Sequence, residues 1–307
     1  MIFTTLFPKN TLRRIIFSKV YRTLRLQSAK NPYFNIGNFF DSTNRDYHAR
    51  FAGKKIDCNV CGNASSIMYD FPNVRHRTEH RIGLLRETLQ CSHCGATMRD
   101  RTLAYALLSL INRGKNLPVR SIAELGKQDQ LGARCLDTDS FSQTSRLLKH
   151  LPDHVRSSFV TNVSFGTELE ANRYNINLEK IDFPDESFDI VLTSDVAEHI
   201  RDIDRAHREI YRILRKGGTY IFTAPYDPEC ATHHVLVDTT TSEDKYLVPA
   251  QLHGDPLTGG ILAYRVFGRQ IFVDLEKIGF TVEFLAVNDT SLGIFDGDVF
   301  IATRKES

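Results

Sequence analysis

Hydrophobic and polar positions are most regular between residues 177 and 226. A short apolar run at 188–193 predicts a strand buried on both faces of a parallel sheet. Apolar residues then recur at helical spacing from 206 to 214, with charged residues between them, which predicts an amphipathic helix. Gly217 and Gly218 follow, and a second apolar run at 219–224 predicts the next strand. A strand, a helix and a strand in this order require a crossover, and therefore a parallel pair.

The same patterns predict further elements on both sides of this unit. Upstream, they predict a first strand at 119–126, a helix at 140–151 and a second strand at 158–163. Downstream, they predict a helix at 267–278 and two final strands at 281–287 and 298–303. About forty residues after Tyr226 lack this regularity, and a polar stretch of that length in a compact domain is usually a lid or a binding loop.

Four of the six cysteines form two Cys-x-x-Cys-Gly motifs, which are Cys58 to Gly62 and Cys91 to Gly95. Two thiolates three positions apart can reach one ion, and the glycine lets backbone amides turn toward the sulfurs. Cys58, Cys61, Cys91 and Cys94 therefore predict a closed four-cysteine shell, the pattern of a structural Zn²⁺ site. The alternative is two cysteine pairs that are free of metal or act in redox chemistry.

Length and composition set the wider frame. A chain of 307 residues suggests about two domains. We divide it into a basic amino-terminal helix with a connector (1–52), a zinc module with its following helix (53–115) and a main domain (116–307). A net charge of +2 is too small to indicate nucleic acid. No apolar run has the length of a membrane span, and the cysteine usage favours a reducing, cytoplasmic compartment.

Residues 1–40 contain seven Lys or Arg and no Asp or Glu. The pattern predicts a helix at 11–26 with one apolar stripe and basic residues around the remainder. Three interpretations compete: peripheral contact with an anionic membrane surface, an organelle transit segment, or packing on the protein itself.

The window from 177 to 226 also resembles a known family. It is similar to the second half of class I S-adenosylmethionine-dependent methyltransferases, close to the type 11 group. The motifs that carry the resemblance are Phe183-Pro184-Asp185, Phe188-Asp189-Ile190-Val191, Glu198-His199 and Lys216-Gly217-Gly218. The resemblance is dense in this window and weaker outside it.

The resemblance implies an α/β fold with a Rossmann-like, seven-stranded, mostly parallel sheet whose last strand is antiparallel, here preceded by the zinc module. It also implies S-adenosylmethionine as cofactor. By motif position, the cofactor-binding candidates are Glu124, Gly126, Lys127, Asn162, Asn177, Leu178 and Asp195. Two features depart from the family pattern: the segment from Lys127 replaces the expected further glycines, and asparagines stand where the family has acids, at 162 and 177.

The catalytic candidates are His199, which follows a predicted strand beside Glu198, and His253 with Asp255 in the long loop. Methyl transfer needs mainly alignment of an acceptor, so no strong base is required. We therefore expect a methyltransferase for a small-molecule, lipid or glycan-type acceptor. The alternative is a methyltransferase-like interaction protein with weak or absent catalysis. A nucleic-acid methyltransferase is disfavoured by the near-neutral charge.

Overall fold

The structure is a computed structural model that describes residues 51, 53–69, 85–113, 118–128, 131–253 and 260–306. The predicted helix at 11–26 and the catalytic candidate Asp255 lie outside these residues. Within the described part of the chain, no helix combines the length and the apolar character needed to cross a membrane.

An eight-stranded sheet forms the centre of the fold. Its strands are β4 (Cys135–Asp137), β5 (His154–Ser158), β6 (Glu168–Glu170), β7 (Arg173–Asn175), β8 (Phe188–Ser194), β9 (Leu214–Thr223), β16 (Phe280–Asp289) and β17 (Ile294–Arg304). They lie side by side in the order β16-β17-β9-β8-β4-β5-β7-β6. Strands β7, β5, β4, β8 and β9 run parallel, whereas β17 is antiparallel to both β9 and β16. The predicted seven-stranded sheet with an antiparallel last strand is therefore confirmed, and β6 adds a short antiparallel edge.

Helices cover both faces of this sheet. They are α1 (Leu85–Thr88), α2 (Met98–Ile111), α3 (Ile122–Leu125), α4 (Gln143–Leu148), a 3₁₀ turn (Ala197–His199), α5 (Ile203–Ile213) and α6 (Gln270–Ile278). Alternate residues of β8 pack on opposite faces of the sheet. Ile190 and Leu192 pack in the cluster that contains α2, whereas Val191 packs in the cluster that contains α5 and α6. The prediction that β8 is buried on both faces is thus confirmed.

Two predicted strands are wrong. The segment 119–126 contains the short helix α3, because the Ser121 hydroxyl accepts a hydrogen bond from the Glu124 amide and caps a helical turn. The first strand of the sheet is instead β4, which begins at Cys135, sixteen residues after Val119. The second strand, β5, ends at Ser158, where the sequence pattern placed its beginning.

The cysteine motifs belong to a small three-stranded antiparallel sheet in the order β1-β2-β3. Its strands are β1 (Lys55–Asp57), β2 (Ala64–Tyr69) and β3 (Leu89–Cys91). This small sheet shares one hydrophobic cluster with α2 and with one face of the central sheet, since Ile67, Leu107 and Ile221 all belong to that cluster. The cysteine module and the central sheet therefore share a continuous core.

In the irregular stretch after β9, the strands of the described residues are all two residues long. They are β10 (His234–Val235), β11 (Val237–Asp238), β12 (Lys245–Tyr246), β13 (Leu252–His253), β14 (Ile261–Leu262) and β15 (Arg265–Val266). They pair as β10 with β15, β11 with β12, and β13 with β14. The backbone amide of Tyr264 donates to the Glu198 carbonyl, which fastens this stretch next to the carboxyl end of β8.

Candidate functional site

The carboxyl edge of the sheet offers a ligand position between β4 and β8. These two strands are neighbours, but the chain continues from β4 toward β5 on one side and from β8 toward β9 on the other. Ligands of open α/β sheets bind at such a switch point. The hydroxyl oxygens of Thr138 and Ser194 lie at these two strand ends. Both are buried and have no hydrogen-bond partner among the described residues. Unpaired buried hydroxyls are costly, so this edge suits a polar ligand.

The loop that follows β4, from Asp137 to Gln143, contains no glycine. Its turn is built by side chains instead: the Asp139 amide donates to Asp137 Oδ1 at 2.9 Å. The other carboxylate oxygen of Asp137 lies 3.2 Å from Nε2 of the buried His154. Burial and the neighbouring charge of Asp137 raise the pKa of Asp139 to about 7. Side chains on every residue of this loop limit how closely its backbone can approach a ligand.

Asp195 ends the turn after β8 and forms two ion pairs. Arg86 Nη2 lies 2.5 Å from its Oδ1, and Arg99 Nη1 lies 2.7 Å from its Oδ2. The Thr223 hydroxyl also donates to Oδ1, at 2.9 Å. Burial alone would raise the pKa of Asp195, but the two guanidinium groups and the hydroxyl lower it to about 2. Asp195 is therefore ionised at neutral pH and joins the sheet edge to α1 and α2.

A second group of polar side chains lies three residues further along. Glu198 is completely buried, and neither of its carboxylate oxygens accepts a hydrogen bond from the described residues. His199 Nε2 and His253 Nδ1 each lie 3.6 Å from Glu198 Oε1. The Glu198 carboxylate raises the pKa of His253 against the opposing effect of burial. The structure thus brings two of the three catalytic candidates together around one carboxylate.

The four cysteines of the module converge as predicted. Their sulfur atoms all lie within 4.8 Å of one another. Cys58 Sγ is 3.9 Å from Cys94 Sγ, and Cys61 Sγ is 3.9 Å from Cys91 Sγ. Gly62 and Gly95 have φ angles of +73° and +77°, a region that favours glycine, and this explains the residue type that follows each motif.

Three cofactor-binding candidates do not lie at this edge. Glu124 and Lys127 are exposed, and the Glu124 carboxylate accepts from the Arg120 amide. The Gly126 carbonyl lies 2.8 Å from His150 Nε2, just beyond the carboxyl end of α4. Helix α4 runs back from the end of β4 to the start of β5, so this contact places Gly126 at the opposite edge of the sheet. The strand that supported these three assignments does not exist.

The other candidates follow the correct strand ends. Asn162 lies four residues beyond β5 and is exposed. Asn177 and Leu178 follow β7; the Asn177 side chain accepts from the Glu179 amide, and Leu178 packs in the core. The polar side chain that organises this region is Asn175, which bonds both the amide and the carbonyl of Val160.

Sequence reasoning missed the most strongly charged part of the edge. That part consists of Arg86 and Arg99, which both pair with Asp195. Sequence reasoning also missed Thr138. The available signal was the apolar pair Cys135-Leu136 followed by Asp137, which is the short form of a buried strand ending in an acid.

The order and direction of the strands define the fold class. Without the edge strand β6, the sheet follows the chain order 6-7-5-4-1-2-3 with an antiparallel seventh strand, which is the class I methyltransferase fold. A family model agrees: residues 144–222 match the model described as "Methyltransferase domain". Residues 144–222, from the start of α4 to β9, therefore resemble a methyltransferase domain.

A curated relative from Bacillus subtilis (strain 168), named "Uncharacterized methyltransferase YcgJ", is 39% identical over 51 residues. The match covers 17% of this chain and 20% of the relative, so it spans about a fifth of that protein.

The crystal structure of YcgJ from Bacillus subtilis aligns with a TM-score of 0.38 at 12% identity, covering 66% of this chain and 100% of that one. An S-adenosylmethionine-dependent methyltransferase from Mesorhizobium loti aligns with a TM-score of 0.37 at 15% identity, covering 56% and 91%. A sugar N-methyltransferase from a Streptoalloteichus species aligns with a TM-score of 0.38 at 17% identity, covering 64% and 92%.

Proposed function

We propose that this protein is an S-adenosylmethionine-dependent methyltransferase that acts on a small-molecule, lipid or glycan-type acceptor, mainly by positioning it. The observation that carries the proposal is the switch point between β4 and β8, where the hydroxyls of Thr138 and Ser194 are buried without partners. Asp195 lies directly after Ser194, and Asn177 and Leu178 follow the strand end of β7 at the same edge. These residues would hold the cofactor.

The chemistry asked of the protein is modest. When bound, S-adenosylmethionine supplies a methyl group that its sulfonium already activates. The chain must then orient an acceptor and exclude water. The stretch from 226 to 266 lies beside the end of β8 and is fixed there by Tyr264. His253 lies within that stretch, on β13, and its ring centroid is 4.8 Å from that of His199, so the two imidazoles would contact the acceptor.

Calorimetric titration with S-adenosylhomocysteine tests the proposal. Asp195→Asn and Asp189→Asn form a matched pair, because both aspartates pair with arginines but lie at opposite ends of β8. We expect Asp195→Asn to weaken binding at least fivefold, since it frees Arg86 and Arg99 to move. Asp189→Asn should leave the affinity unchanged. Equal effects of the two substitutions would place the ligand elsewhere.

A second function has specific support. The glycine-free loop after β4 and the ion-paired state of Asp195 both favour an interaction protein in which the sheet is a scaffold and the cysteine module is the binding surface. The same titration separates the two functions. Absence of heat at near-millimolar S-adenosylhomocysteine, in protein that is folded and zinc-loaded, would reject the enzyme and retain the scaffold.

We also propose that Cys58, Cys61, Cys91 and Cys94 bind one structural Zn²⁺. Four sulfurs at about 2.3 Å from a tetrahedral ion are about 3.8 Å apart. The observed separations of 3.9 Å for Cys58–Cys94 and Cys61–Cys91 agree with this value. None of the six cysteines forms a disulfide, which fits the reducing, cytoplasmic setting that we propose.

Zinc content measured by mass spectrometry tests this site. Cys61→Ser should lower the zinc content by about one ion per chain, because three thiolates no longer close the tetrahedron. The control is Cys230→Ser, which removes a free thiol outside the cluster. Full zinc content in Cys61→Ser, or its loss in Cys230→Ser, would contradict the assignment.

A further inference from the structure

The buried carboxylate of Glu198 faces two histidines, which are its nearest possible charge partners among the described residues. Its side chain is completely buried, and both of its oxygens lack hydrogen bonds from the described residues. A carboxylate removed from water without a partner is unfavourable. The nearest polar atoms are imidazole nitrogens of His199 and His253, each 3.6 Å from Glu198 Oε1, beyond hydrogen-bond distance. A metal cation held between these three side chains would compensate the carboxylate charge.

The geometry fits a single metal ion. Imidazole nitrogen and carboxylate oxygen bind Zn²⁺ at about 2.1 Å, so two such ligands in a tetrahedral shell are about 3.4 Å apart. The two observed nitrogen–oxygen separations of 3.6 Å are close to that value. All three ligand atoms lie within 4.8 Å of one another. The two imidazole rings meet nearly at right angles, with an interplanar angle of 86°, so both can direct a nitrogen toward the same point.

The surroundings orient the ligands as metal sites require. His199 Nδ1 lies 2.8 Å from the Leu262 carbonyl. Because a carbonyl only accepts, Nδ1 carries the proton, and Nε2 keeps its lone pair on the side of Glu198. Histidines that bind metals usually donate their other N–H to such a group. Leu262 lies on β14, which pairs with β13, the strand that carries His253. One hairpin therefore positions both histidines.

The 3₁₀ turn that carries Glu198 and His199 is also held rigidly. The buried guanidinium of Arg265 donates to the carbonyls of Ala197, Ile200 and Arg201, at 3.3, 2.5 and 2.9 Å. These bonds occupy Arg265 with backbone oxygens, so it does not pair with the Glu198 carboxylate. Rigid supports of this kind favour a binding site over a chance meeting of polar side chains.

We propose that Glu198, His199 and His253 bind one divalent ion of the first transition row through Oε1, Nε2 and Nδ1. Two imidazoles and one carboxylate suit Zn²⁺, Fe²⁺, Co²⁺ or Mn²⁺ better than Mg²⁺ or Ca²⁺, which prefer oxygen. Three protein ligands leave coordination positions open, as in sites that bind a further ligand rather than in closed structural sites. The site is separate from the four-cysteine cluster and does not depend on methyl transfer.

Cobalt binding to the zinc-loaded protein tests this proposal. The metal-free protein first receives one equivalent of Zn²⁺, which fills the four cysteines, and Co²⁺ is then titrated, with both bound metals measured by equilibrium dialysis and mass spectrometry. We expect one Co²⁺ per chain, with ligand-field absorption but without the intense thiolate-to-cobalt charge transfer that a cysteine site gives. Binding of no cobalt, or of cobalt with thiolate charge transfer, would overturn the proposal.

Three variants locate the ion. Glu198→Gln and His253→Ala should each weaken Co²⁺ binding at least tenfold. The control is His234→Ala, which belongs to the exposed group of Asp227, Cys230 and His234. It should bind Co²⁺ like the wild type. Retention of cobalt in both first variants, or its loss only in His234→Ala, would refute the site. The His253 side chain is 41% exposed, so His253→Ala remains decisive if Glu198→Gln does not fold.

Discussion

His207 should control how the stability of this protein responds to acid. The side chain lies on α5, is 3% exposed, and packs beside the rings of Tyr220 and Phe222. Its Nε2 atom has no hydrogen-bond partner among the described residues. Burial, with smaller contributions from the charges of Arg265 and His233, lowers the pKa of His207 from 6.5 to about 3. The folded protein therefore keeps this imidazole neutral in moderately acidic solution.

The size of the effect follows from the two protonation equilibria. The unfolded chain binds a proton at His207 below pH 6.5, whereas the folded chain binds it only below about pH 3. The contribution of the neutral His207 to the free energy of unfolding is complete above pH 6.5 and is lost as the pH falls from 6.5 toward 3. At about 1.36 kcal/mol for each pKa unit, the loss is about 2 kcal/mol at pH 5 and about 5 kcal/mol in total.

Urea unfolding of His207→Leu at pH 7 and pH 5 measures this loss. The chain has no tryptophan, so circular dichroism is the suitable signal. The wild type should lose about 2 kcal/mol more than His207→Leu between the two pH values. His150→Leu, which removes an exposed histidine, should behave like the wild type. If the wild type and His207→Leu lose equal free energy, the buried neutral imidazole is not the cause.

Three other predictions follow from the site and the module. Because the pKa of Asp139 is about 7, S-adenosylmethionine, a cation, should bind more tightly at pH 8 than at pH 6; calorimetry should show that Asp139→Asn removes this dependence. Arg99→Met should lower the free energy of unfolding, measured in urea, by about 2 kcal/mol because Asp195 loses a partner. Arg208→Met, which breaks an exposed ion pair, should change it by close to zero. Equal changes would contradict the burial argument. Gly62→Ala should lower the melting temperature more than Gly132→Ala does. Both glycines have positive φ, but a Cβ at Gly62 would lie 2.7 Å from the Ser121 hydroxyl. Equal losses would mean that backbone strain alone causes the effect.

The strand–helix–strand unit was predictable because its pattern is long and its signals agree. The prediction of β8, α5 and β9 rests on two apolar runs and one helical stripe, and each is confirmed within a few residues. One detail differs: Gly217 and Gly218 lie within β9 rather than at the helix end, because Leu214 already leaves the helix with an extended backbone. The four cysteines were predictable for a different reason, since their spacing alone implies convergence.

The candidate ligand position at the carboxyl edge was less predictable because its key strand is short. Strand β4 has three residues, Cys135–Asp137, and the loop after it is polar, so periodicity gives almost no signal there. The stretch at 119–126 looked more like a strand, but a serine cap and contacts with the cysteine module fold it into α3: the Ile122 amide donates to the Asn59 carbonyl. Tertiary contacts of this kind cannot be inferred from a local pattern.

The cysteine module and the ligand edge should depend on each other. Helix α2 begins three residues after Gly95, and its first turn carries Arg99, which reaches Asp195 at 2.7 Å. In the same helix, the buried Arg101 donates to the carbonyls of Ala96 and Gly293, so it ties the module to the turn before β17. If the four cysteines hold zinc as proposed, its loss would release the start of α2 and, with it, the position of Arg99.

Removal of zinc should therefore weaken ligand binding at Asp195 as well as stability. The measurement is S-adenosylhomocysteine affinity in Cys61→Ser, at a temperature where circular dichroism shows the central sheet to be folded, with Cys230→Ser as the control thiol substitution. We expect at least a fivefold loss of affinity in Cys61→Ser alone. A folded, zinc-free protein with unchanged affinity would show that Arg99 is held by α2 and the shared core without help from the metal.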